Sequence, residues 1–297
     1  MPRLSEAQLA DRANGMGSTD VVEVCDLAPW QGAGPWRVWN DKLGIVKPEP
    51  PTPEQEWGHT QELVIGAWYI ANVDHAPLQS HLSTFHPSNP FLWATLDMIG
   101  PDRIVEVKNV GGFMCRAWDP TDPDGVPHYV RAQVQIGMAC ACRSECHVVA
   151  SLAGRPPELW TVRYDAALAD MLIKRGLDFW SSVQAHRADP GCSGEPAIDA
   201  SDACREYLRH KYPKDERLML EPDLSTMLRL GEIGRERALL AERVKADTAR
   251  IKEVDSHLLT AIGPHKGYEC DEFKMTWKAD KNGVRRSRFT PRGGSDE

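Results

Sequence analysis

Apolar positions along the chain fall into two rhythms, spacings of three and four that mark helices and alternation by two that marks strands. Ser5 and Gln8, three apart, read as the cap of a first helix that stops near Asn14-Gly15. A second helix spans Pro35 to Lys42, with Trp36, Trp39 and Leu43 on one face, a proline at its start and Gly44 at its end. Val46 to Pro53 is a proline-rich surface loop, and a third helix follows from about Glu54 to Ile70. Phe91 to Leu96 and Arg103 to Lys108 have the pattern of two strands joined by a tight turn over Ile99-Gly100-Pro101-Asp102, with Asp97 closing the first. After a loop from Asp119 to Pro127 come a helix over Tyr129 to Ala141, strands over His147 to Leu152 and Leu159 to Tyr164, and a long helix from Ala166 to Ala185. Strands followed by helix, strand, strand and helix predict an α/β core with one mixed central sheet flanked by helices.

The composition shifts at Ala188-Asp189-Pro190-Gly191, which places a core at residues 1–188. Residues 189–222 form a linker with a short helix over Ser201 to His210. Residues 223–262 read as one long helix. In it Leu240, Val244, Asp247, Ile251, Val254, Leu258 and Ala261 alternate spacings of four and three, as in a coiled-coil seam with one polar interruption. The same pattern suits an amphipathic helix packed on its own core. In the tail, 263–297, Phe273, Met275, Trp277 and Ala279 alternate with Lys274, Thr276, Lys278 and Asp280. Asn282-Gly283 supplies the turn of a basic β-hairpin.

Composition narrows the class. In 297 residues, 41% are hydrophobic and 26% charged, the profile of an ordered globular protein. No apolar run approaches the roughly 20 residues that span a bilayer. The N-terminus has no secretion-type apolar stretch, so a cytoplasmic location is expected, with no membrane partner. The eight cysteines then read as reduced, mostly buried side chains. A net charge of −8 argues mildly against nucleic acid, but acids that hold a cation contribute to it while binding phosphate through that cation.

The chemistry concentrates between Asp97 and Lys108. On a strand, Glu106 and Lys108 share one face, while Val105 and Val107 turn to the core. An acid and a lysine side by side at the exposed end of a buried strand suit a divalent cation, such as Mg²⁺, held by Asp97 and Glu106. The cation would polarise a phosphate and activate a water, with Lys108 orienting that water or stabilising developing charge. An isolated E-x-K is more often an ordinary surface pair. Two further residues strengthen the functional reading. Glu62 lies on the preceding helix, where it can reach the same metal. Gln133 on the following helix can bond the attacking water or a phosphate oxygen.

Together these segments resemble the YqaJ-type viral recombinase nucleases, relatives of lambda exonuclease within the PD-(D/E)xK superfamily. Gly17-Ser18-Thr19-Asp20 is similar to the family's GGSD segment, and Trp39 to Gly44 to its LWxxKxG helix. Gly58 to Glu62 matches its R-G-xxx-E with Trp57 in place of arginine. Phe91 to Asp97 matches its TxDg segment with Met98 in place of glycine. Glu106-Val107-Lys108, Val126 to Met138 and Phe179-Trp180 follow in order. The resemblance implies that Asp97, Glu106 and the Val107 carbonyl bind metal, Mg²⁺ with Mn²⁺ as a substitute. It implies catalytic roles for Glu62, Lys108 and Gln133, and contacts from Arg12 and Ser18 or Thr19 to a DNA 5′-phosphate. The activity implied is a 5′-to-3′ exonuclease on double-stranded DNA. A single-strand annealing protein would be its partner, and a homo-oligomer its assembly. An endonuclease of repair or restriction, or a DNA-binding module without catalysis, shares much of the pattern.

Other signals carry less. Cys140, Cys142 and Cys146 with His147 lack the paired C-x2-C spacing of a zinc site. Asp119, Asp122 and Asp124 lack the closing glutamate of a calcium loop. His75, His81 and His86 are too far apart for an HExxH site, and no phosphate-binding glycine loop is present.

Overall fold

The computed structural model describes residues 13–46, 50, 52–75, 78–191, 194–215 and 219–292. The expected helix cap at Ser5 and Gln8, and Arg12, lie outside the described residues. The chain divides into two compact units, 1–215 and 216–297.

The first unit runs β1 (Met16–Gly17), α1 (Ser18–Val24), α2 (Pro35–Leu43), α3 (Pro53–Asn72), β2 (Gln79–His86), β3 (Asn89–Ile99), β4 (Ile104–Val110), α4 (His128–Ala141), β5 (Glu145–Leu152), β6 (Glu158–Arg163), α5 (Ala166–Ala188) and α6 (Asp202–Lys211). Its sheet has the order β1-β3-β4-β5-β6, with β2 also paired to β3. β1–β3 and β4–β5 are parallel and the other pairs antiparallel, so the sheet is mixed as its sequence predicts. The fold class expected from the sequence is the one observed.

The local causes are plain. Thr52 caps α3 in a reciprocal box: its hydroxyl accepts from the Gln55 amide at 3.3 Å, and the Gln55 side chain accepts from the Thr52 amide at 2.9 Å. With Pro53 as first residue, the helix begins inside the proline-rich segment expected to be loop. Gly15 brings the chain against β3, where a Cβ would stand 2.3 Å from the Phe91 carbonyl oxygen. Gly44 ends α2 at φ 68°, a left-handed angle that costs glycine little.

Two apolar clusters cover the sheet's faces. The larger joins Trp36, Trp39, Leu92, Leu96, Ile136 and Leu172. The smaller joins Ile65 and Tyr69 of α3 to Met98, Val105, Val107 and Val149. α6 belongs to the larger: Tyr207 lies 4.9 Å from the Trp36 ring. The Trp36 indole N–H donates to the Ala197 carbonyl and the Asn40 amide to that of Ala203, each at 2.8 Å.

Three expectations change. β3 continues past Asp97 to Ile99, because Met98 and Ile99 still pair with β4. β2 was not legible, since Gln-Ser-His-Leu-Ser-Thr-Phe-His lacks the apolar alternation of a half-buried strand. The tail is three strands, not a hairpin. β7 (Gly267–Glu269) pairs with β8 (Phe273–Ala279), which pairs with β9 (Arg285–Pro291). Three residues are too few to carry a period.

In the second unit α7 spans Leu224–Ile262, capped by the Asp223 carboxylate, which accepts from the Thr226 amide at 2.7 Å. Along its expected seam Leu240, Val244, Ile251 and Val254 are 41–65% exposed.

Under α3, His147 is buried. Its Nε2 lies 3.1 Å from an Arg103 N–H and its Nδ1 2.7 Å from the Tyr69 hydroxyl. Arg103 can only donate, which makes Nε2 the acceptor and the ring neutral. Burial first, then the Arg103 charge, hold the imidazole below its usual range, against the pull of Glu145 and Asp74. The unfolded chain therefore takes up this proton at higher pH than the folded one. Stability is full above about pH 6.5, the unfolded value, and falls as pH drops through it. Thermal melts from pH 7.5 to 5 should show this decline, reduced in His147→Gln. A parent and variant with the same pH slope would remove His147 as its source.

Candidate active site

β3 and β4 pair at only two positions, Met98 with Val105 and Ile99 with Ile104. The same register would next set Asp97 against Glu106, and there the ladder opens. The Asp97 carboxylate enters the opening and accepts from the Val107 amide at 2.7 Å, taking the place of a strand carbonyl. The apolar neighbours of Asp97 divide, with Leu96 in the larger cluster and Met98 in the smaller.

β4 alternates as its sequence requires. Val105 and Val107 pack under α3, and Glu106 and Lys108 turn the other way, towards α4. Gln133 of α4 meets them there. Its amide N–H donates to Glu106 Oε1 at 2.9 Å, and its carbonyl oxygen accepts from Lys108 Nζ at 3.1 Å. Lys108 Nζ is 2.5 Å from Glu106 Oε1. The three side chains form a closed triangle in which each touches the other two. Glu106 is 6% exposed, which corrects the expectation that it stands at an exposed strand end. The α4 backbone packs close to the sheet at Gly137, where a Cβ would meet Ile104 Cδ1 at 3.0 Å and Leu96 Cδ2 at 3.3 Å.

Charge follows from this burial. Desolvation first, then the Glu106 charge, push the Asp97 carboxyl well above the usual carboxylate range, and Lys108 and the Val107 amide offset only part of that. Burial alone would lower Lys108, but Glu106 and Asp97 outweigh it and hold the ammonium above its ordinary value. Lys108 is therefore a fixed cation.

Among the other described residues expected at the site, Glu62, Ser18 and Thr19 make no hydrogen bond to the triangle or to Asp97. Glu62 on α3 is 3.2 Å from His59 Nδ1, and its charge adds to burial and the Glu106 charge in raising the Asp97 carboxyl. Ser18 is buried at the start of α1 and Thr19 is exposed. The adjoining Gly17 pairs with Trp93, four residues before Asp97, or roughly 13 Å along a strand. Around α1 the structure assembles a group that the sequence did not announce. Buried Lys42 lies 2.7 Å from Asp20 Oδ2, which also accepts from the Gly17 amide at 2.8 Å. Arg37 forks onto buried Glu23. Tyr129 was also passed over as a site residue. It is one of the groups acting on Lys108, and its position four residues before Gln133 puts both on one helix face.

Among the described residues, no three His, Cys, Asp or Glu side chains gather as a metal-holding group. Cys140 and Cys146 are buried, Cys142 is exposed, and all three are free. The two carboxylates at the opened ladder do fit a hard divalent ion. They are oxygen donors, and burial together with the Glu106 charge drives Asp97 towards protonation.

The fold is that of an exonuclease. An alkaline exonuclease from Laribacter hongkongensis superposes with a TM-score of 0.51 at 19% identity, covering 61% of this chain and 94% of its own. The same enzyme in complex with dAMP gives a TM-score of 0.52 at 19% identity, covering 70% and 97%. Residues 8–144 match the model of the YqaJ-like viral recombinase domain. The protein YqaJ of Bacillus subtilis is 23% identical over 280 residues, covering 91% of this chain and 82% of its own. No helix among the described residues is long and apolar enough to cross a membrane.

Proposed function

We propose that the chain is a metal-dependent exonuclease that resects the 5′ strand of double-stranded DNA. The observation that carries this reading is the Glu106–Lys108–Gln133 triangle beside Asp97. It joins a fixed cation to two carboxylates at a break in the sheet. The dAMP in the crystals of the Laribacter enzyme supports a nucleotide substrate. Asp97, Glu106 and the Val107 carbonyl would hold Mg²⁺ or Mn²⁺, which when bound supplies Lewis-acid polarisation of the phosphate and a more acidic water. Lys108 donates to a phosphate oxygen or to the attacking water, at an angle fixed by Glu106 and Gln133. Gln133 orients the water, and Glu62 adds negative charge at the rim. Arg12, Ser18 and Thr19 receive the 5′-phosphate. Residues 1–188 hold all these groups. Residues 223–262 would serve self-association into a ring-like oligomer, and a single-strand annealing protein would take the 3′ strand that resection exposes.

The test is digestion of linear and covalently closed duplex with Mg²⁺ and with EDTA. The expected result is loss of the linear form alone, only with metal, and faster from 5′-phosphorylated than from dephosphorylated ends. Cleavage of the closed circle would make the protein an endonuclease. Persistence of both substrates would leave a binding module.

A further inference from the structure

The two faces of the C-terminal sheet differ in chemistry. The register places Phe273, Met275 and Trp277 of β8 on one face with Phe289 and Arg285 of β9. On this face Met275 is fully buried, and the Arg285 guanidinium lies 3.7 Å from the centre of the Trp277 ring. Arg285 donates at 3.1 Å to the carbonyl of Gly263 and at 2.5 Å to that of His265, just past α7. That cation is spent on the fold.

The opposite face carries Lys274, Thr276 and Lys278 on β8, against Thr290, Arg288 and Arg286 on β9. Arg292 follows in the same phase, and no aromatic residue stands among them. Lys278 and Arg286 are direct cross-strand partners, and like charges so placed destabilise a sheet. Two acids offset part of the row: Glu269 pairs with Lys274 and Arg292, and Asp280 with Arg286. Lys278 and Arg288 are exposed and have no acidic partner among the described residues. Between Lys266 and Arg292 there are eight Lys and Arg against four Asp and Glu, a net +4 in a chain whose total is −8.

We infer that this outward basic face binds the phosphate backbone of duplex DNA, as a second contact outside the catalytic group. Lys278, set directly across from Arg286, and Arg288, neither with an acidic partner among the described residues, are a standing cost that a polyanion removes. Sequence-independent binding of single strands relies on aromatic platforms for the bases, and here the aromatics occupy the other face. What remains is charge and hydroxyl groups, which suit phosphates and not bases. The choice of DNA among polyanions rests on the nuclease reading above.

The experiment measures binding of the full-length protein to a labelled 20-base-pair duplex in EDTA across a salt series, so no cleavage is needed. Each phosphate contact contributes roughly 0.9 to the slope of log K against log salt. Lys278→Ala with Arg288→Ala should therefore lower the slope by about two and weaken binding at least about fivefold near 0.1 M salt. Lys174→Ala, which removes an exposed cation from α5, should change neither. Unchanged slope and affinity in the double variant would overturn the inference. So would an equal loss on oligo-dT, or on vesicles rich in anionic lipid, since either would assign the face to another polyanion. A protein that binds as expected but cleaves nothing with Mg²⁺ would refute the nuclease reading and leave this surface standing.

Discussion

Asp97→Asn and Glu106→Gln should each lower DNA cleavage by roughly a thousandfold or more while the protein stays folded. A bound cation supplies several kcal/mol of charge stabilisation in phosphoryl chemistry, and about 4 kcal/mol corresponds to three powers of ten. Each variant removes one of the two carboxylate charges and keeps its shape. The side-chain amide introduced by the first change would retain an oxygen for the Val107 N–H. That introduced by the second would retain an oxygen for Lys108 and the Gln133 N–H. Burial and the Glu106 charge disfavour the Asp97 anion, so Asp97→Asn should not lower the melting temperature of metal-free protein. Glu106→Gln removes the ion-pair partner of Lys108 and should lower it without unfolding the protein. Single-turnover assays with Mg²⁺ and melts in EDTA measure the two halves. Near-normal turnover in either variant, with unchanged metal dependence, would remove that residue from the site.

The second large effect concerns stability. Lys42→Met should destabilise the first unit by about 3–5 kcal/mol, the usual cost of stranding one member of a buried ion pair. Lys42 is buried and its partner Asp20 is 4% exposed. The Gly17 amide alone, with Arg37 at 3.8 Å, compensates Asp20 poorly. For a unit of this size the melting temperature should fall by roughly 6–20 °C. Adding Asp20→Asn removes the stranded charge and should recover much of the loss. A fall worth less than about 1 kcal/mol, or no recovery in the double variant, would show that the pair does not hold α1 to α2.

The contrast between these two groups shows what the sequence disclosed. Asp97, Glu106 and Lys108 stand within twelve residues, where strand period alone decides which side chains share a face. Gln133 was reachable because a strong apolar rhythm defines α4. Asp20, Glu23, Arg37 and Lys42 pair across a turn and two helices, and no periodicity records which acid meets which base. α1 was hidden for another reason. Ser-Thr-Asp-Val-Val-Glu-Val is only seven residues and rich in β-branched valine, a composition that favours strands. It is helical because Asp20 satisfies the Gly17 amide at its start and three of its valines enter the core. The position of Glu62 relative to Asp97 depends on how α3 lies over the sheet, which its own sequence does not specify.

The opened ladder also divides the candidate site mechanically. β4 is joined to β5 by seven successive residue pairs but to β3 by two. Glu106 and Lys108 therefore move with β5, while Asp97 moves with β3 and its seven-residue pairing to β2. The carboxylates sit on two stiff bodies linked by a compliant joint, with the hydrogen bond from the Val107 amide as its spring. A rigid ladder would fix their separation to suit one ionic radius. Such a joint would let the gap adjust to a bound ion, whether to the roughly 2.0–2.1 Å bonds that Mg²⁺ demands or to the longer bonds of about 2.3–2.6 Å that Ca²⁺ makes. The spacing of Asp97 and Glu106 would then not by itself discriminate between such ions.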